Sequence, residues 1–132
     1  MADIAKKTIK SRSRVKRQVQ KGVISIQATF NNTIITISDA SGNVLAWATA
    51  GSSGFKGARK STPYAGQMAM LSLLDRVKSM GMQEASVFVS GVGSGRESAI
   101  RALGNSGIDI VGIKDKTPLA HNGVRPKKPR RV

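Results

Sequence analysis

Cysteine is missing from this sequence, and disulfides, thiolate metal sites and cysteine nucleophiles are excluded with it. Histidine occurs once, at His121, so no histidine cluster for a metal can form. The aromatic residues are three Phe, one Trp and one Tyr, too few for a platform on which successive bases stack. The seven acids are scattered along the chain, and no G-x-S-x-G elbow surrounds Ser53 or Ser94. Neither a carboxylate-held catalytic metal nor a hydrolase site is supported. No apolar run approaches the roughly 18 residues of a membrane span, and neither end shows an amphipathic face with aromatic anchors. An apolar signal stretch is also lacking, and the Ser/Arg-rich stretch from Lys10 to Arg17 runs without a spacer into the first strand pattern. The cytoplasm is the expected compartment. These absences leave an expectation of no enzyme, no cofactor, no metal, no membrane and no small-molecule substrate.

Positive charge, by contrast, is abundant. Lysine and arginine number 22 against 7 acids, a net +15 and a pI near 11.3. Self-repulsion of that size works against compactness, so a polyanionic partner is implied, nucleic acid first. The charge is unevenly spread. Residues 1–21 hold Lys6, Lys7, Lys10, Arg12, Arg14, Lys16, Arg17 and Lys21 against Asp3 alone. Residues 114–132 hold Lys114, Lys116, Arg125, Lys127, Lys128, Arg130 and Arg131 against Asp115. The intervening residues 22–113 are nearly balanced, with seven bases and five acids. The sequence therefore divides into a basic N-terminal arm (1–21), a body (22–113) and a basic C-terminal tail (114–132). Neither arm can bury enough apolar surface to offset its ordering entropy, so both should be unstructured alone and order along phosphates. On charge, Arg12, Arg14, Lys16 and Arg17 of the arm and Arg125, Lys127, Lys128, Arg130 and Arg131 of the tail are expected RNA contacts.

Periodicity in the body predicts its elements. Gly22 to Phe30 alternates, with Ile24, Ile26, Ala28 and Phe30 on the inner face. Asn31-Asn32 reads as a two-residue hairpin loop that tolerates positive φ. Thr33 to Ser38 and Val44 to Ala50 complete a meander. Thr62 as N-cap and Pro63 in the first turn open a helix. Gly66, Ala69, Met70, Leu73, Leu74, Val77 and Met80 recur along it at helical spacing. The small pair Gly66 and Ala69 should let it lie close against a sheet, and Gly81 should end it. Ala85 to Ser90 reads as a fully apolar strand. Ser94 with Glu97 forms a capping-box pattern at a second helix, and Ile108 to Ile113 is the last strand. The order β-β-β-α-β-α-β predicts an α/β fold with a mixed five-stranded sheet: an antiparallel meander extended in parallel by crossover units.

Two segments bear on binding. Gly51 to Lys60 has three glycines and no acid, and brings Lys56, Arg59 and Lys60 together, a composition suited to close approach of phosphates. Gly91 to Arg96 lies between a strand and a helix but fits neither a dinucleotide fingerprint nor a P-loop. A glycine-rich turn at a helix start, with Arg96, still suits a phosphate. Asn122-Gly123 is the sole Asn-Gly pair. Glycine offers no side-chain hindrance to attack of its nitrogen on the asparagine carbonyl, so partial conversion of Asn122 to isoaspartate is expected.

These segments carry a resemblance along essentially the whole chain. Phe30-Asn31-Asn32-Thr33, Trp47-Ala48-Thr49-Ala50-Gly51, Ser53-Gly54-Phe55-Lys56-Gly57, Arg59-Lys60-Ser61-Thr62-Pro63, Gly95-Arg96-Glu97-Ser98, Asp115-Lys116-Thr117-Pro118 and His121-Asn122-Gly123-Val124-Arg125-Pro126 are similar to the bacterial-type family of small-ribosomal-subunit protein eleven. The resemblance implies a ribonuclease-H-like α/β fold without nuclease carboxylates. It implies a structural constituent of the small ribosomal subunit, on the platform near the Shine-Dalgarno cleft, bridging helices of the ribosomal RNA. Small-subunit proteins seven and eighteen and initiation factor three are the protein partners it suggests. By the same route Lys56, Arg59, Lys60, Arg96 and the tail from His121, Asn122 and Gly123 onward become RNA contacts. The family commonly has prolines where this chain has Val92 and Ser94, and its tail commonly has a double proline followed by lysines. A general RNA chaperone without a fixed site is the alternative that charge alone would allow.

Overall fold

The computed structural model describes residues 19–131. Five strands, β1 (Lys21–Ala28), β2 (Thr33–Asp39), β3 (Val44–Thr49), β4 (Glu84–Ser90) and β5 (Asp109–Asp115), form one sheet of order β3-β2-β1-β4-β5. β1, β2 and β3 pair antiparallel, while β1–β4 and β4–β5 are parallel. This is the mixed meander-plus-crossover architecture that the pattern predicts. Helix α1 (Pro63–Ser79) connects β3 to β4, and α2 (Gly95–Gly104) connects β4 to β5.

Both helices pack on one face of the sheet. Ile24, Ile26, Ile35, Ile37, Val87 and Val89 point into that layer and are fully or almost fully buried, facing Met70, Leu73, Val77, Ala99 and Leu103. At about 25 cal/mol per Å² of apolar surface, burial of these branched side chains is the main stabilising term. The methionines Met70 and Met82 fill this core. The other face of β4 carries Ser86, Phe88 and Ser90, each half-buried, so this central strand alternates between its faces and is not the fully apolar strand expected.

Local chemistry sets the ends of α1. Thr62 is its N-cap, its hydroxyl accepting from the Ala65 N–H at 3.3 Å, and Pro63 takes the first helical position. Gly81, at φ +73, follows the last turn. Gly66 contributes in a different place from the one expected. A Cβ there would lie 2.6 Å from the Gly95 carbonyl oxygen, so the glycine brings α1 against the start of α2 rather than against the sheet.

Three local expectations are corrected. Phe30 lies outside β1 and is 77% exposed, because the strand ends at Ala28. The connection to β2 is the four residues Thr29 to Asn32, and neither asparagine has positive φ. Thr29 closes the loop instead: its hydroxyl accepts from the Asn32 N–H at 3.0 Å, and its N–H donates to the Asn32 carbonyl at 2.8 Å. A side chain that takes over turn hydrogen bonds removes the need for left-handed backbone. The capping box at Ser94 does not form. Ser94 is helical in its own backbone and its hydroxyl makes no cap bond, donating instead to the Ser61 carbonyl.

Candidate nucleic-acid interface

Because β1, β4 and β5 are parallel, their C-terminal ends lie together, beside the start of β2 and the end of β3. Four segments converge there: the Thr29 to Asn32 loop, the stretch from Ala50 to Thr62, the turn from Gly91 to Ser94 and the exit of β5. This edge gathers cations that are far apart in sequence. Lys56, Arg59 and Lys60 come from the second segment, Arg96 from the first turn of α2, and Lys114 and Lys116 from the end of β5. The tail bearing Arg125, Lys127, Lys128, Arg130 and Arg131 departs from the same edge. Only Glu97 and Asp115 oppose these eleven bases among the described residues.

The opposite edge is different. Asp39, Asp75, Glu84 and Asp109 stand there beside Lys21, Arg76 and Lys78, four acids with three bases, while Arg101 pairs with Glu97 along α2 at 3.9 Å. Lys21 and Glu84 approach within 4.0 Å. The entire charge excess of the described residues therefore belongs to one edge and its tail.

The cationic segment is shaped as well as charged. Thr49 and Ser52 exchange reciprocal bonds, each N–H donating to the other's hydroxyl at 2.9 Å. Phe55 folds back, its N–H donating to the Ala50 carbonyl at 3.2 Å and its ring meeting Tyr64 edge-on at 5.6 Å. Gly57–Ser61 then forms a short 3-10 turn with Arg59 and Lys60 at its end. Lys56 and Arg59 are exposed and Lys60 is half-buried. The structure thus brings these three predicted contacts together on an ordered turn with the charge facing out.

The neighbouring turn is tied to it and to the sheet. Ser94 donates to the Ser61 carbonyl, a bond proline could not make, and so tethers the two loops. Gly91 has φ +93, and a Cβ on it would stand 2.0 Å from the Ala28 carbonyl oxygen, so only glycine fits. Arg96 does not project freely. Its guanidinium donates to the Gly91 carbonyl at 3.1 Å and to Asp115 at 2.7 Å. Asp115 also accepts from the Thr117 hydroxyl and N–H, and these bonds, with Arg96, lower its pKa to about 2.

Sequence reasoning singled out neither Asp115 nor Thr117 as functional, and left Lys114 and Lys116 among the tail's charges without a site. The ammonium of Lys116 stands over the Phe88 ring at 3.9 Å. Their position at the C-terminal end of a parallel strand was the available signal. His121, Asn122 and Gly123 are exposed, and Asn122 has φ +58. From Leu119 to Arg131 the tail has neither helix nor strand. The predicted contacts Arg12, Arg14, Lys16 and Arg17 lie outside the described residues. Among the described residues no group of three His, Asp or Glu could hold a metal, and no helix is long and apolar enough to cross a membrane.

Comparison with known proteins gives the family. The family described as Ribosomal protein S11 matches residues 22–131. The small ribosomal subunit proteins uS11 of Borreliella burgdorferi (strain ZS7) and Borreliella afzelii (strain PKo) are each 54% identical to this chain over 128 residues. That alignment covers 97% of this chain and 98% of each relative, and the uS11 protein of Borrelia garinii subsp. bavariensis aligns equally well. A match over nearly the full length, spanning both the core strands and the cationic segments, places this chain in the ribosomal protein S11 family.

Proposed function

We propose that this chain is a structural, non-enzymatic constituent of the small ribosomal subunit that holds ribosomal RNA with the basic edge of its sheet and with its tail. The observation that carries this reading is the separation of charge between the two edges. A surface where eleven cations meet two acids is built for phosphates, while the core beneath it fixes their spacing. Lys56, Arg59 and Lys60 form the body's part of the contact. His121, Asn122, Gly123, Arg125, Lys127, Lys128, Arg130 and Arg131 form the tail's part, and Arg12, Arg14, Lys16 and Arg17 add the contacts of the N-terminal arm. Arg96 belongs to the same edge.

With cations on the body and on two arms, the chain bridges RNA helices whose phosphates otherwise repel. We place it on the platform near the Shine-Dalgarno cleft, in the cytoplasm, beside small-subunit proteins seven and eighteen, with initiation factor three as a further partner. Asn122 is exposed and outside any helix or strand, and we assign it partial conversion to isoaspartate. Peptide mapping of aged protein should find both forms, and wholly intact Asn122 would remove the assignment.

The test of the main reading is titration of the intact chain with small-subunit ribosomal RNA and with an unrelated structured RNA across a salt series. Tighter binding to the ribosomal RNA at every salt concentration is expected. Equal binding to both would instead identify a general RNA chaperone.

A further inference from the structure

An acid within a phosphate-binding edge, here at the end of the outermost strand β5, needs explaining, since each carboxylate there weakens attraction to RNA. Asp115 spends both oxygens inward. One accepts from Arg96 at 2.7 Å, and the other accepts from the Thr117 N–H at 2.9 Å and from the Thr117 hydroxyl. That hydroxyl in turn accepts from the Gly91 N–H at 3.1 Å, and Arg96 closes the ring by donating to the Gly91 carbonyl. Between Asp115 and Thr117, the Lys116 N–H donates to the Val89 carbonyl at 2.7 Å, carrying the sheet ladder one residue past β5. Pro118 then follows with its fixed φ. Beyond it the tail is exposed and has neither helix nor strand. The ring is thus the last place where the tail is gripped by the body. Arg125 lies seven residues further on, a reach of up to about 24 Å in extended chain, so the exit direction decides which phosphates the tail meets.

We propose that Arg96, Asp115 and Thr117 form a clip that fixes the direction in which the tail leaves the sheet, making them positioning residues for RNA binding rather than RNA contacts. Pre-organising a segment in its bound direction raises affinity by reducing the ordering cost at binding. The inference rests on the proposed RNA-binding role. It deepens that role by assigning Arg96, grouped by sequence with the phosphate ligands, to the support of the tail.

Charge makes the two roles separable, because Asp115→Asn raises the net charge by one. If attraction between charges were all that mattered, this variant would bind small-subunit ribosomal RNA as well as the parent or better. The clip predicts binding about three- to ten-fold weaker. Arg96→Lys preserves charge and would serve a simple phosphate contact, yet it cannot span Gly91 and Asp115 with a planar fork, so it should weaken binding similarly. Thr117→Val, which changes no charge, is the second line should either variant lose its cooperative thermal transition. Combined with Lys127→Gln, Lys128→Gln, Arg130→Gln and Arg131→Gln, the Asp115→Asn effect should shrink, since the clip acts through those cations. Backbone relaxation at Lys116, Thr117 and Leu119 in the free full-length chain should show lower order in the clip variants than in the parent. Equal or tighter RNA binding by Asp115→Asn, or unchanged order in the free chain, would overturn the inference. The relaxation measurement uses no RNA and judges the clip independently, whereas failure of the parent itself to prefer ribosomal RNA would overturn the functional reading.

Discussion

The two edges of the sheet are made from the same strands and the same helices, yet they differ in almost every surface property. One edge is a set of short turns where acids balance bases, as at Lys21 and Glu84. The other is a convergence of glycine-rich loops where cations crowd with little opposition and the backbone is tied by Thr49, Ser52, Ser61 and Ser94. The difference shows how a nearly neutral body can still bind a polyanion. Net charge over residues 22–113 conceals a polarity that only the parallel arrangement of β1, β4 and β5 reveals, because that arrangement sends Lys56, Arg59, Lys60 and Arg96 to one side and Asp39, Glu84 and Asp109 to the other.

If the core supports both edges and the cations bind RNA only at one, stability and affinity should separate under mutation. The largest effect is expected in the core. Leu73 is completely buried under the sheet, and Leu73→Ala should cost about 2–5 kcal/mol of stability in chemical denaturation, while leaving the salt slope of RNA binding unchanged at temperatures where the variant is folded. A smaller and opposite separation is expected in the tail. Neutralising Lys127, Lys128, Arg130 and Arg131 to Gln should lower the log–log salt slope by about 3 on phosphates that these side chains meet, at roughly 0.7–0.9 for each. The thermal midpoint should stay within a degree or two, since these cations are exposed and lie outside any helix or strand.

The smallest effect concerns pH. Each edge holds one carboxylate whose folded-state pKa is depressed: Asp115 by its Thr117 bonds and then by Arg96, and Asp39 by the N–H of Asn43 above all. A carboxylate bound more tightly to its donors when ionised contributes stability above its unfolded value and loses it as pH falls through the folded one. For Asp115 the window runs downward from 3.8 to about 2. Carboxyl carbon shifts followed by NMR should therefore titrate near 2 for Asp115 in the parent and closer to the ordinary value in Arg96→Lys. An ordinary midpoint in the parent would mean that the ring around Asp115 is not formed in solution.

Much of the fold was legible because its signals are local and repetitive. Alternation in Ile24, Ile26 and Ala28, helical spacing from Gly66 to Val77, and the Thr62-Pro63 start each specify an element without help from distant residues. The misreadings fall where a side chain or backbone group outside the motif decides. Ser94 with Glu97 has the letters of a capping box, but the Ser61 carbonyl, 33 positions away, takes the serine hydroxyl. Asn31-Asn32 has the letters of a tight hairpin, but the Thr29 hydroxyl completes the loop. Gly66 looked like a contact for the sheet, yet the space it saves is used by Gly95. The candidate site was legible in part for the same reason. Lys56, Arg59 and Lys60 announce themselves by composition, whereas the ring of Gly91, Arg96, Asp115 and Thr117 joins segments that periodicity cannot bring together.

The most direct test of the central claim removes equal charge from opposite edges. Arg59→Ala with Lys60→Ala takes two cations from the basic edge, and Arg76→Ala with Lys78→Ala takes two from the end of α1 at the other. Binding of both double variants to small-subunit ribosomal RNA, measured across the same salt series with the thermal transition as a folding control, isolates position from charge. The account predicts a salt slope lower by about 1.5 and weaker binding for the Arg59 and Lys60 pair, with parental binding for the Arg76 and Lys78 pair. Equal losses from the two pairs would contradict it, because RNA would then be responding to total charge and not to the edge that the fold constructs.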